Sequence, residues 1–462
     1  MQSLLSIRNM LSVVMTIFVC AGITAFQPGC GVSKDPSIFL ITVDTLRHDH
    51  LSCYGYDRDT SPHLNNFAGE AMLFENCLAH APDTRMSLAS LMTGFLPHET
   101  KVLQGSMLPP SVETLAEILQ TRGYRTAAVV SNYVLRRNGG WEQGFEIYDD
   151  TMNDLELVRR CPERVAEHTT NRAIELLDEL GREQLFLWVH YQDPHGPYSP
   201  PERLRQKFLT GDSVSRRLAV NYSLSGKEGI PFYQVLGEQR EQSYYISQYD
   251  AEIRYQDEQL KRLFDVMKEK GLYETSLIIF TADHGESMGE HDYYFAHGEY
   301  LYANQIHVPL IIKHVKKLTG RRMDIVQHLD VVPTVWQILG LPVDGKLRGR
   351  DIRHPITEER EIFSEMRSMF EKEGVGYSLV RDGLKLIYTR AQERYELYDL
   401  VEDPDETRDL TKEEEYKEVL QDLSVRLHRI SEEEFLGLKA APMHRNLTDE
   451  EKNKLRSLGY IE

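Results

Sequence analysis

Apolar and polar positions alternate along the chain in two rhythms. Residues 37–43, SIFLITV, form a short apolar run that ends on Asp44. Such a run fits a strand buried on both faces of a sheet. Residues 125–130, 185–189 and 277–280 repeat the pattern. Segments with helical spacing lie between them, at 112–121 and 165–180. In residues 246–270 one face collects Ile246, Ile253, Leu260, Phe264 and Met267, and charge occupies the rest, as in an amphipathic helix. Strands alternating with helices predict an α/β fold with a mostly parallel central sheet flanked by helices.

After about residue 345 the rhythm changes. Residues 377–380, 384–388 and 395–400 are short strand-like runs separated by turn residues such as Asp382-Gly383, and 413–430 has helical spacing. A small C-terminal antiparallel-sheet subdomain is expected. The predicted organisation is an export signal over 1–30, a large α/β domain over 37–345, an α+β subdomain over 346–435, and a tail with a short helix over 436–462.

Composition narrows the function classes. The chain has 462 residues, 41% of them hydrophobic, enough for a large core. A net charge of −19 without a basic stripe argues against a nucleic-acid partner. Cysteines at 20, 30, 53, 77 and 161 form no CxxC pair, so a cysteine-based zinc site is not expected. Cys53 and Cys77 leave open a disulfide or two buried thiols. At the N-terminus, Arg8 precedes an apolar run over 10–26 that is interrupted and broken at Pro28. It predicts a secretory signal rather than a membrane span. Gly29-Cys30-Gly31 resembles a bacterial lipoprotein processing site with Cys30 as the lipidated residue, although Gln27 departs from that pattern. The expectation is an exported protein, periplasmic or at the cell surface, touching the membrane only through that lipid anchor. Plain secretion and a retained anchor are the alternatives.

Candidate chemistry collects where the predicted strands end, the rim at which open α/β sheets bind ligands. Asp44 follows the first run, His190-Tyr191-Gln192-Asp193-Pro194-His195 the third, and Asp283-His284-Gly285-Glu286 the fourth. Each alone reads as a turn or cap; together they point to one site. Thr84 lies in APDTRMSLASLMTG, where Pro82-Asp83 gives way to a helical run. It can be read as an N-cap. It can also be read as a hydroxyl facing an anion held by free N–H groups and the helix dipole. A metal would then lower the hydroxyl pKa and screen the charge of a phosphate or sulfate ester.

These residues resemble the sulfatase branch of the alkaline phosphatase superfamily, along nearly the whole chain from 37 to 462. The segments that carry the resemblance are IFLITVDTLRHDHLSCYGYDRDTSPHLNNFA, SLASLMTGFLP, LWVHYQDPHGPYSPP, IIFTADHGESMGEHDYYFAHGEYLY, HVPLII, VQHLDVVPTVWQILGLP, ELYDLVEDPDETRDL and LRSLGY, in that order. The resemblance implies that Asp44, Asp283 and His284 are metal ligands and that Thr84 is the nucleophile, also touching the metal. It makes His195 and His297 the pair that holds the ester oxygens and protonates the leaving group. Arg47 matches an arginine near the nucleophile. Thr45, His190, Asp193, His291 and Asn132 are weaker candidates, and His50, His63, His98 and His307 read as loop or packing residues.

The departures matter as much. The sulfatase maturation signal, a Cys or Ser followed by x-Pro-Ser/Ala-Arg, is replaced by Thr84-Arg85-Met86-Ser87-Leu88. Threonine cannot become formylglycine, so none is expected. Thr45 stands where many members carry a second metal aspartate, and Ser131-Asn132-Tyr133 replaces a Lys-Trp-His segment. Oxygen donors from Asp44, Asp283 and Thr84 suit calcium or magnesium, while the nitrogen of His284 moves the preference toward manganese or zinc. One metal ion is expected; Asp193, His195 and His297 would be needed to hold a second.

Three functions stay open. The first is a metal-dependent sulfate-ester hydrolase acting on a small anionic ester or a sulfated glycan. The second is a phosphodiesterase, phosphonate monoester hydrolase or phosphotransferase using Thr84 directly. The third is a non-catalytic binder of sulfated polymer. The loops over 151–160 and 209–242 carry no readable motif for the substrate.

Overall fold

Strand β1 (Ile38–Val43) is buried along its whole length and sits in the middle of an eight-stranded sheet. The protein is described by a computed structural model over residues 35–102, 106–156, 158–181, 184–209, 215–315, 318–342, 344–367, 374–432 and 447–458. The expected export signal and Cys30 lie outside the described residues. The other strands are β2 (Met72–Leu78), β3 (Arg125–Val129), β4 (Ile147–Asp149), β5 (Leu185–Tyr191), β6 (Leu277–Ala282), β7 (His307–Lys313) and β8 (Gly320–Gln327). Their order across the sheet is β8-β2-β7-β6-β1-β5-β3-β4. Only β7 runs antiparallel to its neighbours, so the sheet is mostly parallel, as the apolar runs predict.

Register explains why the rim is chemically dense. Val43 pairs with Tyr191 on one side and Ala282 on the other. The three central strands therefore end level, and Asp44, Gln192 and Asp283 leave the sheet side by side. Strands β5 and β6 run two residues further than their apolar cores suggest, which places His190 inside β5 rather than after it.

Helices cover the sheet. Helix α1 (Thr84–Thr93) is buried along all of its length and packs against α4 (Val331–Ile338). Helices α2 (Ala166–Leu180) and α3 (Gln242–Glu269) pack on each other. Ile253, Leu260, Phe264 and Met267 of α3 are buried as the spacing predicts, whereas Ile246 is only partly buried.

The C-terminal subdomain is an antiparallel meander of β9 (Ile362–Arg367), β10 (Val375–Arg381), β11 (Leu384–Thr389) and β12 (Arg394–Asp399). Helix α5 (Lys417–Glu432) lays Leu423, Leu427 and Ile430 on Phe363, Leu379, Leu386 and Leu397. Leu96 and Leu329 of the large domain join the same apolar cluster, so the two parts share packing. Helix α6 (Asp449–Ser457) in the tail starts with a Thr448–Glu451 capping box and adds Leu455 to the main core. Strands β2, β4, β7, β8 and β9 do not follow from the periodicity. In β2 Glu75 and Asn76 interrupt the apolar run, and β8 is a charged edge strand. Cys53 and Cys77 are free buried thiols, which settles the open alternative. Among the described residues no helix is long and apolar enough to cross a membrane.

Candidate active site

The chain leaves β1 through Asp44 and Thr45, both fully buried. Thr45 adopts φ +54°, unusual for a β-branched residue. The turn is held by its N–H donating to Asp283 Oδ1 (3.1 Å) and by Tyr249 Oη donating to its carbonyl (2.7 Å). Asp283 Oδ1 also accepts from the His284 N–H (2.7 Å). Asp44 Oδ2 accepts from Asn132 Nδ2 (2.5 Å) and lies 3.5 Å from His190 Nε2. Thr42 Oγ1 accepts from the Trp188 indole and contacts His190 Nδ1 (2.8 Å), which fixes the ring.

Each carboxylate is thus anchored through one oxygen and leaves the other buried without a partner: Asp44 Oδ1 and Asp283 Oδ2. His284 Nδ1 donates to the Gly285 carbonyl (2.9 Å), so Nε2 carries the free lone pair. The ligand atoms of Asp44, Asp283 and His284 lie within 4.8 Å of one another. Thr84 Oγ1 is 3.3 Å from His284 Nε2. Two orphaned carboxylate oxygens, one imidazole lone pair and one hydroxyl converge in a fully buried corner, and that donor set fits a divalent cation. Without one, burial and then the charge of Asp44 push the Asp283 carboxyl up to about 6. Asp44 keeps its carboxyl well below the usual range despite burial, because His195, His190 and His284 surround it.

Thr84 is the first residue of α1, not its cap. Asp83 is the N-cap, its side chain accepting from the N–H groups of Arg85 and Met86 (both 3.1 Å). This corrects both readings of the segment. The Thr84 hydroxyl is not consumed in capping, and two of the N–H groups expected to hold an anion are already taken. Ser87 Oγ donates to the Asp283 carbonyl (2.6 Å), so α1 is pinned to the end of β6.

His195 and His297 are half-buried and line the open side of the corner. Their rings meet edge to face at 5.3 Å, and His297 lies 4.5 Å from the His284 ring. Burial pushes His195 down to about 4, against the pull of Asp44, so it is neutral. For His297 burial acts in the same direction, but the hydrogen bond and charge of Glu286, with help from Asp44 and Asp283, raise it above the ordinary value. Glu286 Oε1 is 3.2 Å from His297 Nδ1, and Tyr198 Oη donates to its other oxygen. Glu286 and Tyr198 were not singled out from the sequence. Both lie inside quoted motifs, DHGE and HGPY, but only the folded chain shows that they act through His297. Gly285 is required in this turn, since a Cβ there would meet the Asn304 carbonyl at 2.2 Å.

The remaining candidates separate. Asn132 and His190 join the corner through Asp44; Thr45 joins it through its backbone, with Oγ1 buried and unpartnered. Asp193 faces elsewhere, accepting from the Ala166 N–H at the start of α2 (2.7 Å). Among the described residues the one group of three metal-ligating side chains is Asp44, Asp283 and His284, so Asp193, His195 and His297 do not form a second centre. His291 stacks on Tyr302 at 3.5 Å, apart from the cluster. The Arg47 guanidinium is held by Asp49 (2.9 and 2.7 Å), Glu290 (2.7 Å) and the Glu286 carbonyl (3.1 Å), which ties the β1 turn to the Glu286 loop. His50 pairs with Asp250 (2.7 Å) and His307 stacks on His48 (3.6 Å), both packing roles.

Comparison with known proteins places the chain in a family. A profile described as Sulfatase matches residues 36–341, and one described as N-sulphoglucosamine sulphohydrolase, C-terminal, matches 289–433. The Delta 4,5-hexuronate-2-O-sulfatase of Bacteroides thetaiotaomicron is 22% identical over 85% of this chain and 88% of its own length. A sulfatase-fold structure solved with its substrate D-glucosamine-2-N,6-O-disulfate superposes with a TM-score of 0.72 at 19% identity, over 86% of this chain and 98% of that one. The phosphonate monoester hydrolase of Agrobacterium radiobacter superposes with a TM-score of 0.67 at 19% identity, over 86% and 95%. With its profile spanning most of the chain and its fold shared, this protein belongs to the sulfatase family and is a sulfatase-like ester hydrolase.

Proposed function

We propose that the protein is a metal-dependent hydrolase of sulfate esters, with Thr84 as the nucleophile and a sulfated saccharide as the substrate class. The observation that carries this is the convergence of Thr84 Oγ1, His284 Nε2 and two unpartnered carboxylate oxygens in one buried corner. Asp44, Asp283, His284 and Thr84 would hold the ion, which when bound lowers the hydroxyl pKa and screens the ester oxygens. Thr84 Oγ, its proton released to solvent, then attacks sulfur while the bond from sulfur to the bridging oxygen breaks. His297, kept protonated by Glu286, gives its proton to the departing oxygen. Neutral His195 hydrogen-bonds an ester oxygen, and Asn132 fixes Asp44. Water completes hydrolysis by attacking sulfur as the bond from sulfur to Thr84 Oγ breaks; one of its protons restores the Thr84 hydroxyl, the other returns to His297, and sulfate leaves. The saccharide class rests on the substrates in the names of the similar proteins. Export and lipidation at Cys30 complete this reading.

One observation favours a phosphorus centre instead. A sulfated threonine cannot expel sulfate by collapsing to an aldehyde, as formylglycine hydrate can, whereas a phosphorylated threonine is open to in-line attack. The likeness to phosphonate monoester hydrolases supports the same reading. A panel of p-nitrophenyl sulfate, p-nitrophenyl phosphate, bis(p-nitrophenyl) phosphate and p-nitrophenyl phenylphosphonate, run with metal-loaded enzyme and with Thr84→Ala, decides between them. Turnover of the sulfate alone, lost in the variant, supports sulfate chemistry. Turnover of the phosphorus esters alone overturns it, and undiminished turnover in Thr84→Ala removes Thr84 as nucleophile.

A further inference from the structure

A second cavity, of ≈ 500 Å³, opens where the C-terminal sheet and α5 meet the large domain. Arg348, Arg350, Arg360, Arg381, Arg426 and Arg429 line it, in a chain whose net charge is −19. It lies beyond the C-terminal end of α1, next to Leu96, while Thr84 is at the other end of that helix, about 15 Å away at 1.5 Å per residue.

Two of the arginines are structural walls. Arg360 makes a two-pronged contact with buried Asp330 (2.9 and 2.8 Å), and Arg348 reaches Glu99 (2.9 Å). Three of the other four crowd around one acid. Glu361 alone serves Arg426 (2.6 Å), Arg429 (3.1 Å) and Arg381 (3.6 Å). Arg381 also pairs with Glu359 and Asp382, Arg426 with Asp422, and Arg350 with Glu358, all of them exposed acids. Exposed pairs of this kind stabilise little and exchange readily. Guanidinium forks match the oxygens of sulfate and phosphate groups. The apolar floor, Leu96, Leu329, Phe363 and Ile430, suits the carbon face of a sugar ring.

We propose that this cavity binds a multiply charged saccharide ester, sulfated or phosphorylated, at a site separate from Thr84. Glu361 holds Arg381, Arg426 and Arg429 together, and the ester groups of the ligand displace the exposed acids from them. The site does not depend on which ester the Thr84 corner cleaves.

Calorimetric titration of the full chain tests the proposal, with a disulfated hexosamine, fructose 1,6-bisphosphate and inorganic sulfate as probes. The wild type is expected to bind one of the two saccharides at this site, which also identifies the ester. The double variant R381Q/R426Q is expected to bind it about tenfold or more weakly, from the loss of two charge-assisted contacts, with unchanged turnover at the Thr84 corner. E361Q is expected to bind it several-fold more tightly, because the arginines lose their competing carboxylate. An inert salt-bridge network predicts instead that R381Q/R426Q and E361Q leave affinity unchanged and shift only melting temperature; that result, or binding of neither saccharide, overturns the proposal. With every titration run on a Thr84→Ala background, which removes turnover of the probe, the heat reads binding alone and failure here is distinct from failure of the reaction proposed above.

Discussion

Glu286→Gln tests how His297 is kept ready to donate a proton. The substitution keeps the shape of the side chain and an oxygen able to accept from Tyr198, and removes the negative charge beside His297 Nδ1. The contact is 3.2 Å long, with Glu286 fully enclosed and the His297 side chain 14% exposed. A hydrogen bond to a charged partner contributes about 1.5–3 kcal/mol. Because Glu286 raises the pKa of His297, the protonated form dominates below that pKa and is lost as pH rises through it. Removing Glu286 therefore moves the alkaline limb of kcat/KM to lower pH. A bound metal acts on wild type and variant alike, so the difference between them survives. The assay is kcat/KM against pH for whichever p-nitrophenyl ester the enzyme turns over. On the acid side of the limb the two proteins should be nearly equal; on the alkaline side the variant should be about tenfold slower. Parallel profiles, displaced only in height, would refute the assignment of His297 as the proton donor held by Glu286.

Other consequences are independent of that limb. Thr84→Ser keeps an oxygen beside His284 and should retain turnover, while Thr84→Ala should lose at least a hundredfold in kcat, an order-of-magnitude expectation for removing a nucleophile; single-turnover kinetics checks both. Dialysis against a chelator should abolish turnover and lower the melting temperature, since the cation neutralises buried carboxylates, and calcium, magnesium, manganese and zinc added back singly identify the ion by recovery of rate. Asp83→Ala should cost about 1 kcal/mol in denaturant unfolding by uncapping α1; an unchanged midpoint would remove Asp83 as the cap. Asp330→Ala leaves Arg360 without its buried partner and strips an acceptor from the N–H groups of Gln327 and Arg350, so a loss of about 3–5 kcal/mol is expected by the same measurement.

Much of the fold can be read from periodicity because β1, β5 and β6 are buried on both faces. A continuous apolar run leaves no alternative to an interior strand. Where burial is one-sided or mixed, the signal fades. β8 has Arg321, Arg322 and Asp324 among its apolar positions because it closes the sheet edge, where charge discourages pairing with another chain. His190 reaches the rim from within β5, since the strand continues through two polar-capable side chains that find partners, His190 on Thr42 of β1 and Tyr191 on Thr170 of α2.

The candidate site divides along the same line. Asp44, Asp283 and His284 were readable because strand order and register put the ends of β1 and β6 together, and sequence position after an apolar run reports register. Glu286, Tyr198 and Asp83 were not, because each acts on a neighbour rather than on the reacting group. Asp83 shows the consequence most sharply. From sequence, Thr84 reads both as a cap and as a nucleophile, since the two uses share one geometry. In the fold the preceding aspartate takes the capping bonds, and the hydroxyl is left 3.3 Å from His284 with no backbone N–H to accept from. The same aspartate places a negative charge at the helix start, which disfavours an anion held there by the helix alone. In the proposed mechanism the cation, His195 and His297 hold the ester, so metal loss and Asp83→Asn should act oppositely on affinity for an anionic inhibitor: the first weakening it, the second strengthening it by relieving repulsion. Dissociation constants for inorganic phosphate, measured by calorimetry in each protein, check this: an affinity unchanged by metal loss would show that the helix terminus rather than the metal corner carries the anion.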